Sequence, residues 1–489
     1  MVRFFRFVAV CVAVLAGGIA DAGSLRLGAP FTEHMMVQAD APVVVWGWDV
    51  PGTSVQVRLA GHSAAAVSET DGAWRVELPA ISEPGPHTLE VVGSETVIFT
   101  DVLAGDIWWC SGQSNMVWPV EKTLGKDDAM SRPSDPRLRV LQLPNVASEQ
   151  PAADLEASWQ IADGEARATF SSVAYHFGAM LRRETNRPIG LIQAAWSGSN
   201  IQTWIADPRI AASQHRDAIA RIRERGVKKY EKERKDWDAG GQVGKEPTRE
   251  FGAASPQQGP SLVYNGMVHP LQGLHLRGVL WYQGESNGAQ PGLYVNLFKD
   301  LVEGWREDFR DPDLPVYFVQ LPAFKSTYWP AFRDMQRRID LPHTHMVVTI
   351  DVGEAENLHP TNKQPVGERL ARMALVNTYG HELVPGGPRV QSVRRSADDV
   401  GSVVVTFDWV GEHLQSLSDD GELGGFELVD ENGAVHPAVA TITDGQSIRV
   451  SSGGLTHPVE IRYAGNPDSQ ISLFNSAGLP ASPFIEAIP

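Results

Sequence analysis

At 489 residues the chain exceeds what one ordinary hydrophobic core supports, so two or three domains are expected. Its 42% hydrophobic and 21% charged residues are those of a globular protein and exclude a disordered or coiled-coil chain. The formal charge of −17 is spread without long acidic blocks, which argues against nucleic acid and anionic membranes as partners.

The first residues carry an address. Arg3 and Arg6 precede the apolar run Phe7 to Ala16, and Ala20-Asp21-Ala22 offers a small-x-small cleavage site. The run is too short to span a bilayer. Residues 1–22 therefore read as a signal peptide, with Gly23 as the first mature residue and a periplasmic or secreted location as the consequence. Of the two cysteines, Cys11 leaves with this segment. Cys110 then has no internal disulfide partner and reads as a small buried hydrophobe.

Residues 23–100 read as all-β. Val43–Trp48, Ser54–Leu59, Ala73–Leu78 and His87–Val92 alternate or are β-branched, and Pro51-Gly52, Asp71-Gly72 and Pro84-Gly85-Pro86 separate them. Short strands at this spacing suggest a small β-sandwich. From 101 to about 385 strands alternate with helices: strands at 105–110, 189–195, 277–283, 314–320 and 345–351, helices near 173–184, 293–309 and 362–379. That alternation predicts an α/β domain with a parallel sheet in three layers. The charged stretch 207–240 reads as a solvated helical insertion. After Pro385-Gly386-Gly387-Pro388 the β pattern returns in 401–407, 425–429, 447–450 and 459–463, giving a second β-domain over 386–489.

The chemistry centres on Gly112-Gln113-Ser114-Asn115-Met116, a polar turn after the apolar run ending Trp108-Trp109-Cys110. In open α/β sheets ligands sit at the carboxyl ends of strands, so Ser114 is a candidate nucleophile. It needs a base. His359 lies in the loop Glu354 to Pro360 after the last strand, and Pro360 biases it away from helical geometry. Glu356, three residues earlier, is placed to accept the imidazole N–H. The loop Ala195 to Asn200 supplies Gly198, whose N–H can approach an oxyanion, and the loop 281–287 supplies the side-chain amides of Gln283 and Asn287. Two competing patterns are visible. Gly284-Glu285-Ser286-Asn287-Gly288 matches Gly-x-Ser-x-Gly and would make Ser286 the nucleophile. His343-x-His345 is the only close histidine pair and has no third ligand nearby, so no metal is expected.

Gly112 to Met116, Trp281-Tyr282-Gln283-Gly284-Glu285-Ser286 and His359-Pro360 with Asn362-Lys363-Gln364 resemble the sialate O-acetylesterase family of the SGNH (GDSL-like) hydrolases. Tyr264-Asn265-Gly266-Met267 and the tail Gly478 to Phe484 extend the resemblance over nearly the whole mature chain. It implies a flavodoxin-like three-layer α/β/α catalytic domain between two small β-domains, and cleavage of sugar acetyl esters through an acyl-enzyme without a cofactor. Ser114 would be nucleophile and His359 base. The Ser114 and Gly198 N–H groups, with Gln283 or alternatively Asn287, would form the oxyanion hole. The family's Asp-x-x-His is Glu356-Asn357-Leu358-His359 here, and related acetylesterases use the glutamate of Gln-Gly-Glu, so Glu285 is the alternative acid. Trp118, Trp196, Trp204 and Tyr264 are candidates for sugar stacking, with Gln113, Asn115, Asn200 and Asn265 as further substrate-binding residues. The implied partner is an acetylated carbohydrate, either sialic acid or a plant cell-wall polysaccharide such as xylan or xyloglucan; a non-catalytic carbohydrate-binding protein is the rival reading.

Overall fold

The computed structural model of the protein describes residues 24–243, 255–418, 421–469 and 471–489. The expected signal segment lies outside them. One strand organises the rest: β1, Thr96–Gly112, 17 residues long. Its first six residues alternate between exposed and half-buried, and its remaining eleven are buried without interruption. The change follows from its partners. The first part pairs antiparallel with His87–Val92 and has one wet face. The second part is covered on both faces, as the central strand of a parallel sheet must be. The expected boundary at 100/101 therefore falls inside one continuous strand.

The central sheet also contains β2 (Leu138–Gln142), β3 (Trp159–Ile161), β4 (Ile189–Ala195), β5 (Gly278–Tyr282), β6 (Val316–Val319) and β7 (Thr344–Val347). Their order is β3-β2-β4-β1-β5-β6-β7, parallel except for the antiparallel β3 edge. Alternate residues enter different cores. Trp108 and Cys110 of β1 face helices α1 (Ser172–Thr185) and α3 (Gln364–Asn377), joining Phe177, Leu181, Leu370 and Met373. Ile107 and Trp109 face helix α2 (Pro291–Asp308), joining Leu297, Leu301 and Trp305. Each fully buried aliphatic or aromatic side chain contributes roughly 1.5–3 kcal/mol, so these two apolar layers fix the sheet between its helices. The expected strand at 345–351 stops at Val347, because Ile350–Val352 form a 3-10 turn instead.

Small antiparallel sheets complete the mixed α/β structure. On the N-terminal side, Val43–Trp48 pairs with Ala73–Leu78 and Ser54–Leu59 with His62–Val67. On the C-terminal side two four-stranded sheets enclose their own core, including Val403, Phe407, Leu428, Ile461 and Phe484. The insertion at 207–240 forms the helices Asp207–Ala212 and Arg216–Ala239. Among the described residues no helix is long and apolar enough to cross a membrane.

Candidate active site

The carboxyl end of β1 is built on Gly112. Its φ is 135°, and a Cβ at this position would lie 2.1 Å from the Tyr282 carbonyl oxygen. Only glycine lets β1 and β5 come this close. The Gln113 N–H donates to that oxygen at 3.0 Å, while the Gly112 carbonyl accepts the Trp196 N–H at 3.1 Å and the Ser199 hydroxyl at 3.3 Å. The ends of β1, β4 and β5 are thus stitched at one point. Ser114 then opens the helical turn Ser114–Val117, so its own N–H has no intrahelical acceptor. Across from it the Ser199 N–H donates to the Trp196 carbonyl at 3.2 Å, closing a turn in which Gly198 has φ 75°. That conformation favours glycine, and the Gly198 N–H enters no backbone hydrogen bond among the described residues.

His359 reaches this corner from the loop after β7. Its Nε2 lies 2.8 Å from Ser114 Oγ. The ring is stacked on Trp118, with centroids 4.9 Å apart and planes 17° from parallel. Its backbone N–H donates to Asn357 Oδ1 at 3.0 Å, and Glu354 closes the loop by accepting the Thr361 N–H at 2.7 Å and the Asn357 amide at 3.0 Å. Burial holds the His359 pKa below the ordinary imidazole value, and the charge of Lys363 adds to the lowering. A triad carboxylate would act the other way.

Glu356 does not take the acid's place. Its side chain is 79% exposed and forms an ion pair with Lys325 at 2.9 Å. The spacing of three residues turns it away to solvent because the loop is folded on Glu354. Glu285 does not reach the imidazole either. Its Oε1 accepts from Asn115 Nδ2, its Oε2 is buried without a partner, and burial raises its pKa. Among the described residues no carboxylate is hydrogen-bonded to His359.

The side-chain amides proposed for the oxyanion hole are committed elsewhere. Gln283 is fully buried, and its Nε2 donates to Gln113 Oε1, Ser199 O and Asn287 Oδ1 at 2.9–3.2 Å. Asn287 Oδ1 also accepts the Ile201 N–H, and its Nδ2 faces Gln202 Oε1 at 3.3 Å. These amides lock the β4 and β5 loops together. The backbone N–H groups of Ser114 and Gly198 enter no hydrogen bond among the described residues.

Several residues expected to face substrate are structural. Gln113 is 2% exposed and accepts from Gln283 and from the Ser286 N–H. Asn115 is fully buried. Trp204 is buried with its indole N–H on Ser199 Oγ at 3.0 Å. Tyr264 bonds Asp308 at the far end of α2, and Asn265 holds the carbonyls of Ser148 and Glu149. Asn200, 7% exposed, donates to Gln258 O at 3.0 Å. Trp118 spends its ring on His359. Of the four aromatics Trp204 and Tyr264 are buried, while Trp118 and Trp196 are half-buried, Trp196 in the turn that carries Gly198. Ser286 is exposed in the turn Glu285–Asn287 and its hydroxyl meets no histidine among the described residues. His343 and His345 are engaged separately, with Asp313 and with the Tyr317 ring, and no group of three or more metal-ligating side chains occurs among the described residues.

Two features had no place in the sequence reading. Gln257 lies against Gly198, and Gln258 donates to the Gly198 carbonyl. Lys363 is 1% exposed under the site, its Nζ on Asn115 Oδ1. Burial draws its pKa down to about 7, while the charges of Glu285 and Glu354 oppose the fall. A lysine just ahead of a helix ordinarily reads as solvated, so only its place in the Asn362-Lys363-Gln364 block marked it.

A hydroxyl in contact with an imidazole at the carboxyl edge of a parallel sheet is an arrangement suited to a carboxylic ester hydrolase. The chain belongs to the family described as carbohydrate esterase, sialic acid-specific acetylesterase, which it matches over residues 104–233 and 255–376. It is 29% identical to the sialate O-acetylesterase of Mus musculus over 521 aligned positions, covering 94% of each chain. Its identity to the sialate O-acetylesterase of Homo sapiens is 27%, over 95% of this chain and 92% of that one. A crystal structure of a carbohydrate acetylesterase from Xanthomonas citri superposes with a TM-score of 0.82 at 32% identity, covering 94% of this chain and 99% of the other.

Proposed function

We propose that the protein is an exported serine carbohydrate O-acetylesterase of the sialate O-acetylesterase kind, with an SGNH-type catalytic domain at 101–385 between β-domains at 23–100 and 386–489. The observation that carries this reading is the 2.8 Å contact between Ser114 Oγ and His359 Nε2 at the carboxyl end of β1. In this mechanism neutral His359 takes the Ser114 proton as Oγ attacks the acetyl carbonyl. The oxyanion of the tetrahedral intermediate lies against the backbone N–H groups of Ser114 and Gly198. His359 then gives its proton to the leaving sugar oxygen, and water repeats the cycle on the acetyl-enzyme.

Acetylated sialic acid and acetylated xylan or xyloglucan remain the two substrate readings. Acetate release is to be measured side by side on O-acetyl sialic acid, acetylated xylan and acetylated xyloglucan, with wild type and Ser114→Ala. Release from at least one of them, lost in Ser114→Ala, is expected. Wild-type rates from a folded Ser114→Ala protein would sink the proposal, and sugar binding without turnover would leave the carbohydrate-binding reading in its place. Export is tested by N-terminal sequencing of secreted protein, with Gly23 the expected first residue.

A further inference from the structure

Asn115 is the residue after the nucleophile, yet its side chain is used entirely inside the protein. Nδ2 donates to Glu285 Oε1 at 2.5 Å and to the Leu358 carbonyl at 3.1 Å, and Oδ1 accepts from Lys363 Nζ at 2.5 Å. The amide orientation is therefore dictated, since only the nitrogen can face a carboxylate and a carbonyl, and only the oxygen an ammonium. Leu358 immediately precedes the base. One buried amide thus joins the backbone of the nucleophile to the backbone of the base, and Lys363 and Glu285 hold it from opposite ends.

We propose that Lys363 is a positioning residue of the esterase: through Asn115 it fixes the Leu358–His359 segment against Ser114. This rests on the assignment of Ser114 and His359 above. The arrangement holds the base in position, while among the described residues no carboxylate is hydrogen-bonded to the imidazole. Lys363 comes from the segment just ahead of α3, Glu285 from the β5 loop and Asn115 from the β1 turn, so three elements must be in register for the amide to be satisfied. The aromatic ring of Tyr282 lies 5.5 Å from Nζ and closes the cavity on another side. The groups around His359 are few. Ser114 and the Trp118 ring touch it, Lys363 and Glu285 lie behind Asn115, Glu354 is occupied with Thr361 and Asn357, and Glu356 is paired with Lys325 in solvent. Of these charges Lys363 is the one that acts on the His359 proton, and it acts to expel it.

The test uses full-length protein with p-nitrophenyl acetate as the probe and two substitutions. Lys363→Met keeps the length but removes both charge and hydrogen bond; Lys363→Gln keeps a donor for Asn115 and removes the charge. A misplacement of the base by about 1 Å costs on the order of 100-fold, so Lys363→Met is expected to lose kcat by up to that factor with KM little changed. Lys363→Gln is expected to lose less. In both, the acid limb of kcat/KM moves up in pH, because the cation opposing protonation of His359 is gone. The same shift is to be read from the His359 imidazole by NMR in a Ser114→Ala background, which removes any dependence on turnover. A residue needed only for folding would lower the melting temperature and leave the limb alone. The inference is overturned if the limb and the NMR titration stay at their wild-type pH in whichever of the two variants folds. Activity surviving in Ser114→Ala would instead condemn the underlying assignment, so the two failures are distinguishable.

Discussion

Gly112→Ala is the most direct test of how the fold makes the site. The substituted residue would have to hold φ 135°, a conformation that L side chains rarely adopt, and its methyl group would begin 2.1 Å from Tyr282 O. Strain of this kind costs on the order of 1–3 kcal/mol. The clash adds to it and cannot be relieved by a rotamer, because the obstacle is backbone. Restoring an ordinary contact takes that 2.1 Å approach to at least 3.4 Å, at the point where the Gln113 N–H bonds Tyr282 O and where Trp196 and Ser199 bond Gly112 O. Ser114 moves with it, which strains both its contact with His359 and the Asn115–Leu358 hydrogen bond that ties the two segments together. A shift of about 1 Å at a reacting group costs on the order of 100-fold in rate. Turnover of p-nitrophenyl acetate is to be measured per folded molecule, with circular dichroism and the melting temperature recorded. Gly52→Ala is the control, since Gly52 also has positive φ (80°) but open space around its Cβ position. It should lose stability and keep kcat. A folded Gly112→Ala enzyme turning over at the wild-type rate would refute the argument that this contact sets the nucleophile's position.

Three further outcomes follow from the geometry around His359. An aromatic pair of the kind formed by Trp118 and His359 is worth about 0.5–1.5 kcal/mol, so Trp118→Ala should lower kcat roughly twofold to tenfold while Trp118→Phe restores most of it; unchanged kcat in Trp118→Ala would show that the stack does not orient the ring. Glu356→Gln should leave kcat within about twofold of wild type, because an exposed ion pair contributes little; a loss approaching the roughly 10⁴-fold cost of removing a triad acid would restore Glu356 to that role. Finally, kcat/KM should fall as pH drops through the His359 pKa, which burial and Lys363 hold below the ordinary value of ~6.5. Protonated imidazole cannot take the serine proton, so activity is kept above that pKa and lost below it, and a half-maximal point above pH ~6.5 would contradict the environment described here.

The architecture could be read from periodicity wherever a strand or helix answered to one environment. The helices at 172–185, 291–308 and 364–377 lie within three residues of their expected ends, because their apolar faces repeat at helical spacing. β2 and β3 escaped notice: they are five and three residues long, at the margin of the sheet, with nothing in their spacing to separate them from loop. The long β1 was seen only in its buried half, since its first six residues carry the alternation of a different sheet. At the site, Ser114 and His359 could be nominated because each follows a strand. The errors came from reading proximity in sequence as proximity in space. Glu356 is three residues from His359 and faces solvent, whereas Lys363 is four residues away and lies under the nucleophile. Gln113 and Asn115, expected from the family resemblance to bind substrate, are buried, with their hydrogen bonds closed inside the protein.

That inversion of charge has a mechanistic consequence. In a Ser-His-Asp arrangement the carboxylate selects the tautomer with hydrogen on Nδ1 and stabilises the imidazolium that forms during attack. Here the same tautomer is required for Nε2 to accept from Ser114 Oγ, but the ring is held by Trp118 and by its own backbone, through Asn357, Leu358 and Asn115. Position is supplied without the electrostatic stabilisation of imidazolium, and the charge of Lys363 works against it. A base so placed is weaker, yet it stays neutral to lower pH and releases its proton more readily to the departing alcohol. For an acetyl ester, whose sugar oxygen is a poor leaving group until it is protonated, a weaker base and stronger conjugate acid favour the second half of acyl transfer at the expense of the first. The geometry thus assigns attack to the precision with which Ser114 is held at the end of β1, and departure to the acidity of His359.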